Sequence, residues 1–399
     1  MTDYLILLLI LRCFQILLSS ILPIFVSKNL LLLSDSIKKQ YKICLVSDQL
    51  ATGGAERCAA LLSVFFEKNN CKVHHVVVVD KIEYEFSGNV LNLGIIRDDS
   101  NDFFNRLKRF RVLRKFFLEN EFDFIIDFRV KRHQWQEFFI AKLIYRAPLI
   151  VTIHSYMIDL YFPKNKLLAN WIYSNCYKII TVSNEIKKRI VSNSNYLNIE
   201  TIYNPIDFKY IETAIKEKFE FDFKYILAVG RMQDNVKQFN KLIECYANSI
   251  LPKNDIKMII LGDGTLKSEL VNLVKTFKLE NMILFKGEVK NPFVYFKKAL
   301  YTVLSSKNEG FPTVLIESLA CETPVISFAC HSGPSEIIIN NENGILVENQ
   351  NFAKLTSAMN LMLQDKILYL HCKQNAKTSV ERFSIEKIGN QWLELLKIN

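Results

Sequence analysis

The stretch ALYTVLSSKNEGFPTVLIE, from Ala299 to Glu317, predicts a strand, a tight loop and a helix in immediate succession. The run ALYTVLS is typical of a buried strand, whereas Gly310 and Pro312 are typical of a loop that opens a helix. Backbone N–H groups at a helix N-terminus bind phosphate, and carboxylates accept hydrogen bonds from sugar hydroxyls. Because Glu309 and Glu317 stand at the two ends of this turn, the stretch predicts a site for a phosphate-bearing sugar.

The same alternation of short apolar strands and helices extends in both directions. Strands are predicted in a first series at residues 41–47, 72–79, 122–128, 148–154 and 178–183. They are predicted in a second series at residues 224–230, 256–262, 282–287, 299–305 and 324–328. Continuous apolar runs separated by helices are typical of parallel sheets that are covered on both faces. The predicted fold class is therefore α/β, with two Rossmann-like, doubly wound domains.

The first 33 residues differ from the rest of the chain. Tyr4–Leu33 consists mostly of Leu and Ile, with Arg12 and Lys28 as its charged residues. This length suits an apolar N-terminal helix that spans the membrane or lies on it, and the lysines that follow would keep the main body in the cytoplasm. The alternative is a misassigned start or an extension without order. The predicted domains are residues 1–37, 38–205, 206–383 and 384–399, the last being a helix that packs back on the N-terminal domain.

Composition favours a large folded protein with an anionic partner. Of 399 residues 50% are hydrophobic, and the formal net charge is +10. Such a charge suits a nucleotide, a diphosphate or a lipid headgroup. The nine cysteines are scattered, without a C-x-x-C pair, which indicates reduced thiols and no disulfide framework or zinc site.

Two basic segments have both a structural and a functional interpretation. Residues 101–117 form an amphipathic helix pattern, which predicts packing on a sheet, attraction to anionic lipid, or both. After the strand at 122–128, the cations Arg129, Lys131 and Arg132 either receive the phosphate of a substrate or are simply solvated. No nucleic-acid-binding module is recognisable, so no nucleic-acid partner is expected.

Three further motifs lie where strands end. Gly53 and Gly54 follow the first strand and either approach an anion or form an ordinary turn. Arg231 and Lys237 follow the strand at 224–230, Lys237 at the start of a helix, and either clamp a diphosphate or are solvated. His154 ends an apolar strand, where it is either structural or directed at the ligand crevice.

Taken together and in order, these motifs resemble glycosyltransferase family 4, the retaining enzymes of GT-B fold, from Tyr41 to the C-terminus. The motifs that carry the resemblance are Gly53–Arg57 (GGAER), His154–Tyr156 (HSY), Val182–Asn184 (VSN), Tyr203–Asp207 (YNPID), Val229–Met232 (VGRM) with Lys237, Leu261–Gly264 (LGDG), Gly287–Val289 (GEV), Asn308–Glu317 (NEGFPTVLIE), Ser332–Ile338 (SGPSEII) and Asn343–Leu346 (NGIL). Family members often carry another residue at Pro312, and often glycine at Gln238 and Ser332.

The resemblance implies a role for each matching residue, in two domains that face a central cleft. Residues 38–205 would bind the acceptor and residues 206–383 the donor. Arg231 and Lys237 would hold the diphosphate of a nucleotide sugar, and Glu309 the hydroxyls of its sugar. The residues implied in catalysis are His154, Glu309, Arg231 and Lys237. The residues implied in nucleotide-sugar binding are Gly53, Gly54, Arg231, Lys237, Glu288, Val289, Gly310, Phe311, Pro312, Thr313 and Glu317.

The implied activity is transfer of a hexose or N-acetylhexosamine from a UDP-sugar to a lipid-linked saccharide, without a metal ion or a permanently bound cofactor. The implied location is the cytoplasmic face of the cell membrane, at an anionic surface. Alternatives are a non-transferring enzyme of the same fold, such as an epimerase or a phosphorylase, and a membrane-associated binding protein with a degenerate site. The intact set of Glu309, Glu317, Arg231 and Lys237 argues against the last.

Overall fold

A computed structural model describes residues 39–97, 103–131, 133–163, 165–173, 176–193, 198–219 and 221–398. Its framework is a pair of fully parallel sheets, one of seven strands and one of six. The central strands of each sheet are apolar, rich in β-branched residues and buried on both faces, as a sheet covered by helices requires. The two Rossmann-like sheets predicted from the sequence are thus confirmed.

The first sheet has the strand order β3-β2-β1-β4-β5-β6-β7. Its strands are β1 (Lys42–Ser47), β2 (Lys72–Val77), β3 (Asn89–Asn92), β4 (Phe124–Asp127), β5 (Leu149–Ile153), β6 (Lys178–Thr181) and β7 (Ile199–Thr201). The five predicted strands are all present, each shorter by one to three residues. The sequence did not predict β3 and β7, the two edge strands, because they are short and lack a continuous apolar run.

The second sheet has the order β10-β9-β8-β11-β12-β13. Its strands are β8 (Tyr225–Val229), β9 (Lys257–Leu261), β10 (Ile283–Gly287), β11 (Thr302–Leu304), β12 (Val325–Phe328) and β13 (Gly344–Val347). The stretch Ala299–Glu317 contains β11, which lies between β8 and β12. The loops after β8, β11 and β12 therefore meet at one edge of the sheet, where ligands bind in open α/β folds.

Helices cover both sheets. The described helices are α1 (Gly54–Lys68), α2 (Phe103–Glu119), α3 (Gln134–Phe139), α4 (Lys166–Tyr173), α5 (Asn184–Asn193), α6 (Phe208–Ala214), α7 (Phe239–Ala247), α8 (Lys267–Thr276), α9 (Phe293–Lys298), α10 (Thr313–Ala320), α11 (Pro334–Ile337), α12 (Phe352–Gln364), α13 (Lys366–Val380) and α14 (Ile385–Leu396). A π-helical turn, Ile140–Ile144, continues α3.

The last helix returns to the first domain. A Cβ on Gly389 of α14 would lie 2.5 Å from the ring of Phe65 on α1, so the two helices are in close contact. The Tyr177 hydroxyl donates to the carbonyl of Leu395 at 3.1 Å. These contacts hold the C-terminal segment against the first sheet and join the two domains. The domain boundaries given above stay predictions.

The predicted apolar N-terminal helix lies outside the described residues, as do Arg132 and residues 101–102 of the basic segment. Within the part of the chain that the structure describes, no helix is long and apolar enough to cross a membrane. The eight described cysteines are all free and buried.

Candidate active site

The segment from Glu309 to Glu317 lies between the two sheets, at the carboxyl end of β11. The Ser305 hydroxyl donates to the carbonyl of Lys237 at 2.7 Å, and the N–H of Lys307 donates to Val236 at 2.9 Å. These two bonds tie the loop after β11 to the loop after β8. Two loops that are distant in sequence are thereby held side by side.

Lys237 and Glu309 form an ion pair within this arrangement. The Lys237 ammonium lies 2.6 Å from the Glu309 carboxylate, and both side chains are mostly buried. A Cβ on Gly230 would lie 3.0 Å from the Lys237 side chain, so Gly230 leaves room for its methylene groups. The helix starts later than predicted, since α7 begins at Phe239 and Lys237 belongs to the loop before it.

Arg231 is exposed on the same loop, just past β8. Its positive charge acts across the cleft on Glu56 of the other domain, where it makes a small contribution that lowers the pKa of that carboxyl. Burial has the largest effect on Glu56 and, with the negative charge of Asp48, raises the pKa of this carboxyl to about 7. A backbone hydrogen bond and the charge of Arg231 lower the pKa but do not offset this rise. The edge of the cleft thus contains a carboxyl that is partly protonated at neutral pH.

Glu317 has a partner that the sequence did not reveal. Its carboxylate lies 3.1 Å from the guanidinium of Arg57 on α1, and only 8% of its side chain is exposed. The Arg57 guanidinium also lies over the ring of Phe293, 5.2 Å from the ring centre. Glu317 therefore forms a bridge between the domains. The motif GGAER contained Arg57, but nothing in its spacing pointed to Glu317.

The helix α10 begins immediately after Pro312, which occupies the N-cap position and not the first turn. Phe311 packs against Tyr203 and Phe383, with ring centres 4.9 and 5.2 Å apart. Its side chain belongs to the core shared by the two domains. At Phe311, therefore, the backbone and not the side chain is available to a ligand, next to the first N–H groups of α10.

Glycine is needed at position 310 for a reason other than the expected approach of a ligand to the backbone. A Cβ at this position would overlap the carbonyl of His154 in the other domain. The N–H of Tyr156 donates to the carbonyl of Glu309 at 3.3 Å, and the Tyr156 ring stacks on His331 at 4.9 Å. The glycine thus permits the close approach of the two domains, in addition to any approach of a ligand.

His154 lies at the end of β5, as predicted. Its Nε2 lies 3.0 Å from the hydroxyl of Thr152, and its ring packs against Phe128. Burial lowers the pKa of His154 to about 3, so the imidazole is neutral at physiological pH. The buried Nδ1 has no hydrogen-bond partner among the described residues.

The glycine pair after β1 borders the same cleft. Gly53 has a φ of 124°, and a Cβ there would overlap the carboxylate of Glu56. A Cβ on Gly54 would lie 3.8 Å from both Asn204 and Thr313, the first residue of α10. The Gly53–Gly54 turn thus faces the start of the helix that carries Glu317.

Glu288 and Val289 follow β10, two strands away from β8 in the sheet. Glu288 is exposed and Val289 is half-buried on the core. They lie at the same edge of the sheet as the ion pairs but further along it. Among the described residues, no three His, Cys, Asp or Glu side chains come together as metal ligands.

The cations after β4 differ from both interpretations of the sequence. Arg129 and Lys131 are buried, and both contact Asp127, at 2.7 and 2.5 Å. Arg129 also pairs with Glu137 at 2.9 Å. Burial alone would raise the pKa of Asp127, but the two cations hold it below its ordinary value. Arg129 and Lys131 are therefore neither solvated nor free cations, because two carboxylates balance them.

A cavity of about 190 Å³ lies beside this network. Its wall includes Arg129, His133 and Gln136 after β4, and Arg106 and Arg109 from α2. The cations of the wall thus come from two places, Arg129 from the loop after β4 and Arg106 with Arg109 from α2. The sequence placed these two arginines on a basic helix but did not connect them with Arg129.

Comparisons with known proteins agree with this geometry. The model of "Glycosyltransferase Family 4" matches residues 52–210, and that of "Glycosyl transferases group 1" matches residues 211–379. An N-acetylgalactosamine-N,N'-diacetylbacillosaminyl-diphospho-undecaprenol 4-alpha-N-acetylgalactosaminyltransferase of Campylobacter jejuni is 31% identical over 367 residues, which cover 87% of this chain and 97% of that protein. The amylovoran biosynthesis glycosyltransferase AmsD of Erwinia amylovora is 23% identical and spans 89% of this chain and 99% of its own.

Solved structures show the same fold. A glycosyltransferase from Rickettsia africae superposes with a TM-score of 0.70 and 19% identity, covering 90% of this chain and 98% of that one. HepE of Anabaena, in complex with UDP, superposes with a TM-score of 0.69 and 18% identity, covering 89% and 99%. Both family models and a relative matched over nearly its full length thus agree with the motifs and the paired sheets: the chain belongs to glycosyltransferase family 4, of GT-B fold, and is a glycosyltransferase.

Proposed function

We propose that this glycosyltransferase moves an N-acetylhexosamine or a hexose, with retention, from a UDP-sugar to a lipid-linked saccharide at the cytoplasmic face of the cell membrane. The observation that carries the proposal is the pair of ion pairs at the two ends of one segment, Lys237–Glu309 and Arg57–Glu317. The names of the Campylobacter jejuni relatives, which transfer N-acetylgalactosamine to diphospho-undecaprenol saccharides, support this donor and acceptor class. The UDP complex of HepE supports the nucleotide.

The donor chemistry follows from where charge develops. When the bond between the anomeric carbon and the diphosphate breaks, negative charge accumulates on the departing phosphate. Lys237 and Arg231 would stabilise this charge, together with the N-terminus of α10. Because cations and helix dipole are in place before the reaction, they stabilise the leaving group without a large rearrangement.

The two carboxylates would hold different parts of the donor. Glu309, next to Lys237, would accept hydrogen bonds from the transferred sugar, while the backbone of Gly310–Thr313 would contact that sugar and the β-phosphate. Glu317 would hold the ribose, and Glu288 with Val289 the base. The wide separation of Glu288 from β8 in the sheet suits this order, because base, ribose and phosphates follow one another along the nucleotide.

The acceptor domain would close the site from the other side. His154 would reach the donor sugar as a neutral hydrogen-bonding group, since its lowered pKa makes it a poor base at neutral pH. In the retaining mechanism implied by the family, the acceptor attacks from the side of the leaving group. The departing phosphate then takes the proton of the acceptor hydroxyl, so no side chain needs to act as the base.

The acceptor's own phosphate would bind at the cavity beside Arg129. Arg106 and Arg109 line this cavity from α2, and Arg129 shapes its wall through its bonds to Asp127 and Glu137. The N–H of Val130 lies 3.3 Å from the carboxylate of Asp48, which follows β1. This bond links the cavity rim to the loop that carries Gly53 and Gly54, so the cavity adjoins the cleft.

A donor screen tests the proposal. Purified protein would be incubated with a panel of UDP-sugars, starting with UDP-N-acetylgalactosamine, and with lipid-linked saccharides extracted from membranes. We expect a product one sugar heavier by mass spectrometry, with the anomeric configuration of the donor retained by NMR. Consumption of donor without an acceptor would point to an epimerase or a hydrolase, and failure to bind UDP or use any sugar would refute the proposal.

A further inference from the structure

The helices that follow the Arg129 loop have an outer surface that is unusually apolar. Five large side chains on this surface are between 48% and 79% exposed. We call this group the aromatic face, and it consists of Trp135, Phe139, Leu143, Leu167 and Trp171. The first three lie on α3 and the π-turn after it, and the other two lie on α4.

The aromatic face is one continuous surface. Trp135, Phe139 and Leu143 are spaced four residues apart, which places them along one side of the helical segment. Trp171 stacks on Phe138, with ring centres 5.5 Å apart, and Phe138 contacts Trp135 at 6.4 Å. Phe138 thus joins the two helices, and the exposed residues of both flank it.

The aromatic face lies outside the core of the domain. The inner sides of the same helices already bury Ile140, Ile144, Leu168 and Ile172, and Glu137 is fixed by its pair with Arg129. Each helix therefore has an apolar side towards the core and a second apolar side towards water. Contiguous exposed apolar patches of this kind usually mark an interaction site.

The charges around the aromatic face select the kind of partner. Lys142 and Arg146 are exposed beside it. Among the described residues of 133–146 and 165–173 the only acidic side chain is Glu137, which is buried. The π-turn also packs on α2, which exposes Lys108, Arg111, Arg114 and Lys115. Tryptophan beside basic residues is typical of a surface that lies in the headgroup region of an anionic bilayer.

We propose that the aromatic face docks this enzyme on the anionic membrane, with Trp135 and Trp171 inserted at the headgroup level. The inference deepens the proposed function, since it rests on a lipid-linked acceptor. Docking also accounts for the position of the cavity. Because α3 begins directly after the Arg129 loop, docking of the aromatic face brings the cavity close to the membrane surface. An acceptor phosphate anchored at that surface would then reach Arg106 and Arg109 without leaving the bilayer.

The tryptophans provide the readout. The chain has three, and the third, Trp392, is buried in α14 and serves as an internal reference. The full-length protein would be mixed with vesicles of phosphatidylcholine, with and without phosphatidylglycerol, carrying brominated acyl chains. We expect emission to shift to the blue and to be quenched on the anionic vesicles. Trp135→Phe and Trp171→Phe should each remove part of the quenched signal.

A paired variant tests the face itself. Phe139→Ser/Leu143→Ser keeps both reporter tryptophans and should lower vesicle affinity by about tenfold or more. The matched control is Ile367→Ser/Leu370→Ser on α13, where Ile367 is 85% exposed and far along the chain from the face. The control should bind vesicles like the unmodified protein. Circular dichroism would confirm that both variants are folded.

Several outcomes would overturn the inference. Unchanged vesicle binding by Phe139→Ser/Leu143→Ser would assign membrane contact to α2 or to residues 1–38. Dimers seen by sedimentation and dissolved by that variant would assign the face to a second copy of the chain. Sugar transfer to a water-soluble, short-chain acceptor is measured separately, to distinguish failure of docking from failure of the proposed function. If the unmodified protein transfers no sugar but its tryptophans are still quenched by the vesicles, the docking inference is supported and the proposed transfer is refuted.

Discussion

The two carboxylates of the Glu309–Glu317 segment are each paired with a cation, but the cations come from different domains. Lys237 reaches Glu309 from the loop after the adjacent strand, β8. Arg57 reaches Glu317 from the first turn of α1, in the other domain. A pair within one domain keeps its geometry when the domains move, whereas a pair between domains does not. We therefore infer that the first pair serves the chemistry and the second serves closure of the cleft.

The largest effect is expected from breaking the pair within the donor domain. Lys237→Ala and Glu309→Gln should each lower kcat by about 100-fold to 1,000-fold, because each removes a group that, in the proposed function, contacts the reacting part of the donor. Lys241→Ala is the matched control, since Lys241 lies in the first turn of α7, close to Lys237 in sequence, and forms an exposed ion pair with Glu244. Initial rates of transfer measure the effect. Rates within a few-fold of the unmodified protein would show that this pair is structural.

A second large effect is expected where the backbone of one domain meets the other. Gly310→Ala would place a methyl group against the carbonyl of His154, so the two loops would have to separate. We expect kcat/KM to fall by about tenfold to 100-fold, because small displacements of the site misalign donor and acceptor. Small-angle scattering should show a larger radius of gyration. Unchanged kinetics and an unchanged radius would mean that the close approach is not needed for transfer.

The pair between domains should act more weakly and on a different constant. Arg57→Gln should raise the KM for the donor about tenfold while kcat changes little, because it would loosen the cleft and leave Lys237 and Arg231, the cations proposed to stabilise the leaving group, in place. In a double-mutant cycle on the free energy of unfolding, Arg57→Gln and Glu317→Gln should couple by about 1 kcal/mol. A coupling energy near zero would show that the Arg57–Glu317 pair does not contribute to closure of the cleft.

The sequence predicted the centre of each sheet better than its margins. Central strands such as β1 and β9 are buried on both faces, so they need continuous apolar runs that can be recognised in the sequence. Of the four edge strands, β3, β7 and β13 are three or four residues long and were not predicted, whereas β10 is longer, with the run ILFKG, and was predicted. The three short edge strands are stabilised by pairing with a neighbour, which a segment of three or four residues can achieve without a long apolar run or a periodic signal.

The same division holds for the site. The local features could be predicted, because the glycines, Arg231, Lys237 and Glu309 follow strand ends that converge in any doubly wound sheet. The partners across the cleft could not, because no sequence spacing relates Arg57 to Glu317. Nor did the sequence show that Arg129 and Lys131 are neutralised, since no sequence pattern relates Arg129 to Glu137.

A smaller effect is expected from the protonation of Glu56. Its pKa is about 7 in the folded chain, raised mainly by burial, against an ordinary value of 4.5. Between these values the folded protein holds a proton that the unfolded chain has lost, so stability should fall as pH rises from 4.5 to 7. Above pH 7 the new negative charge competes with a diphosphate for Arg231.

Binding of a UDP-sugar without acceptor tests this, since its diphosphate does not titrate near neutral pH. Affinity measured by calorimetry should fall several-fold as the pH rises through the pKa of Glu56, and Glu56→Gln should flatten the profile. The stability curve of Glu56→Gln should also lose its decline over the same range. An equally steep profile in the variant would assign the titration to another group.

The smallest effects are expected on the free energy of unfolding, at Gln238, within the donor domain, and at Ser332, which contacts the other domain across the cleft. Gln238 and Ser332 have φ values of 51° and 68°, a conformation that favours glycine, which many family members carry at both positions. The buried Oε1 of Gln238 has no partner among the described residues. Gln238→Gly should therefore raise the free energy of unfolding by about 0.5 to 1 kcal/mol.

Ser332→Gly relieves the same backbone but should not stabilise the protein. The Ser332 hydroxyl lies 2.6 Å from that of Ser183 in the other domain and donates to Gly310 at 2.5 Å. Losing two buried hydrogen bonds costs about 1 to 3 kcal/mol, which outweighs the relief of strain. Chemical denaturation of both variants measures the difference. If Ser332→Gly were the more stable of the two, the hydroxyl contact between the domains would contribute nothing, and closure would rest on Gly310 and Arg57.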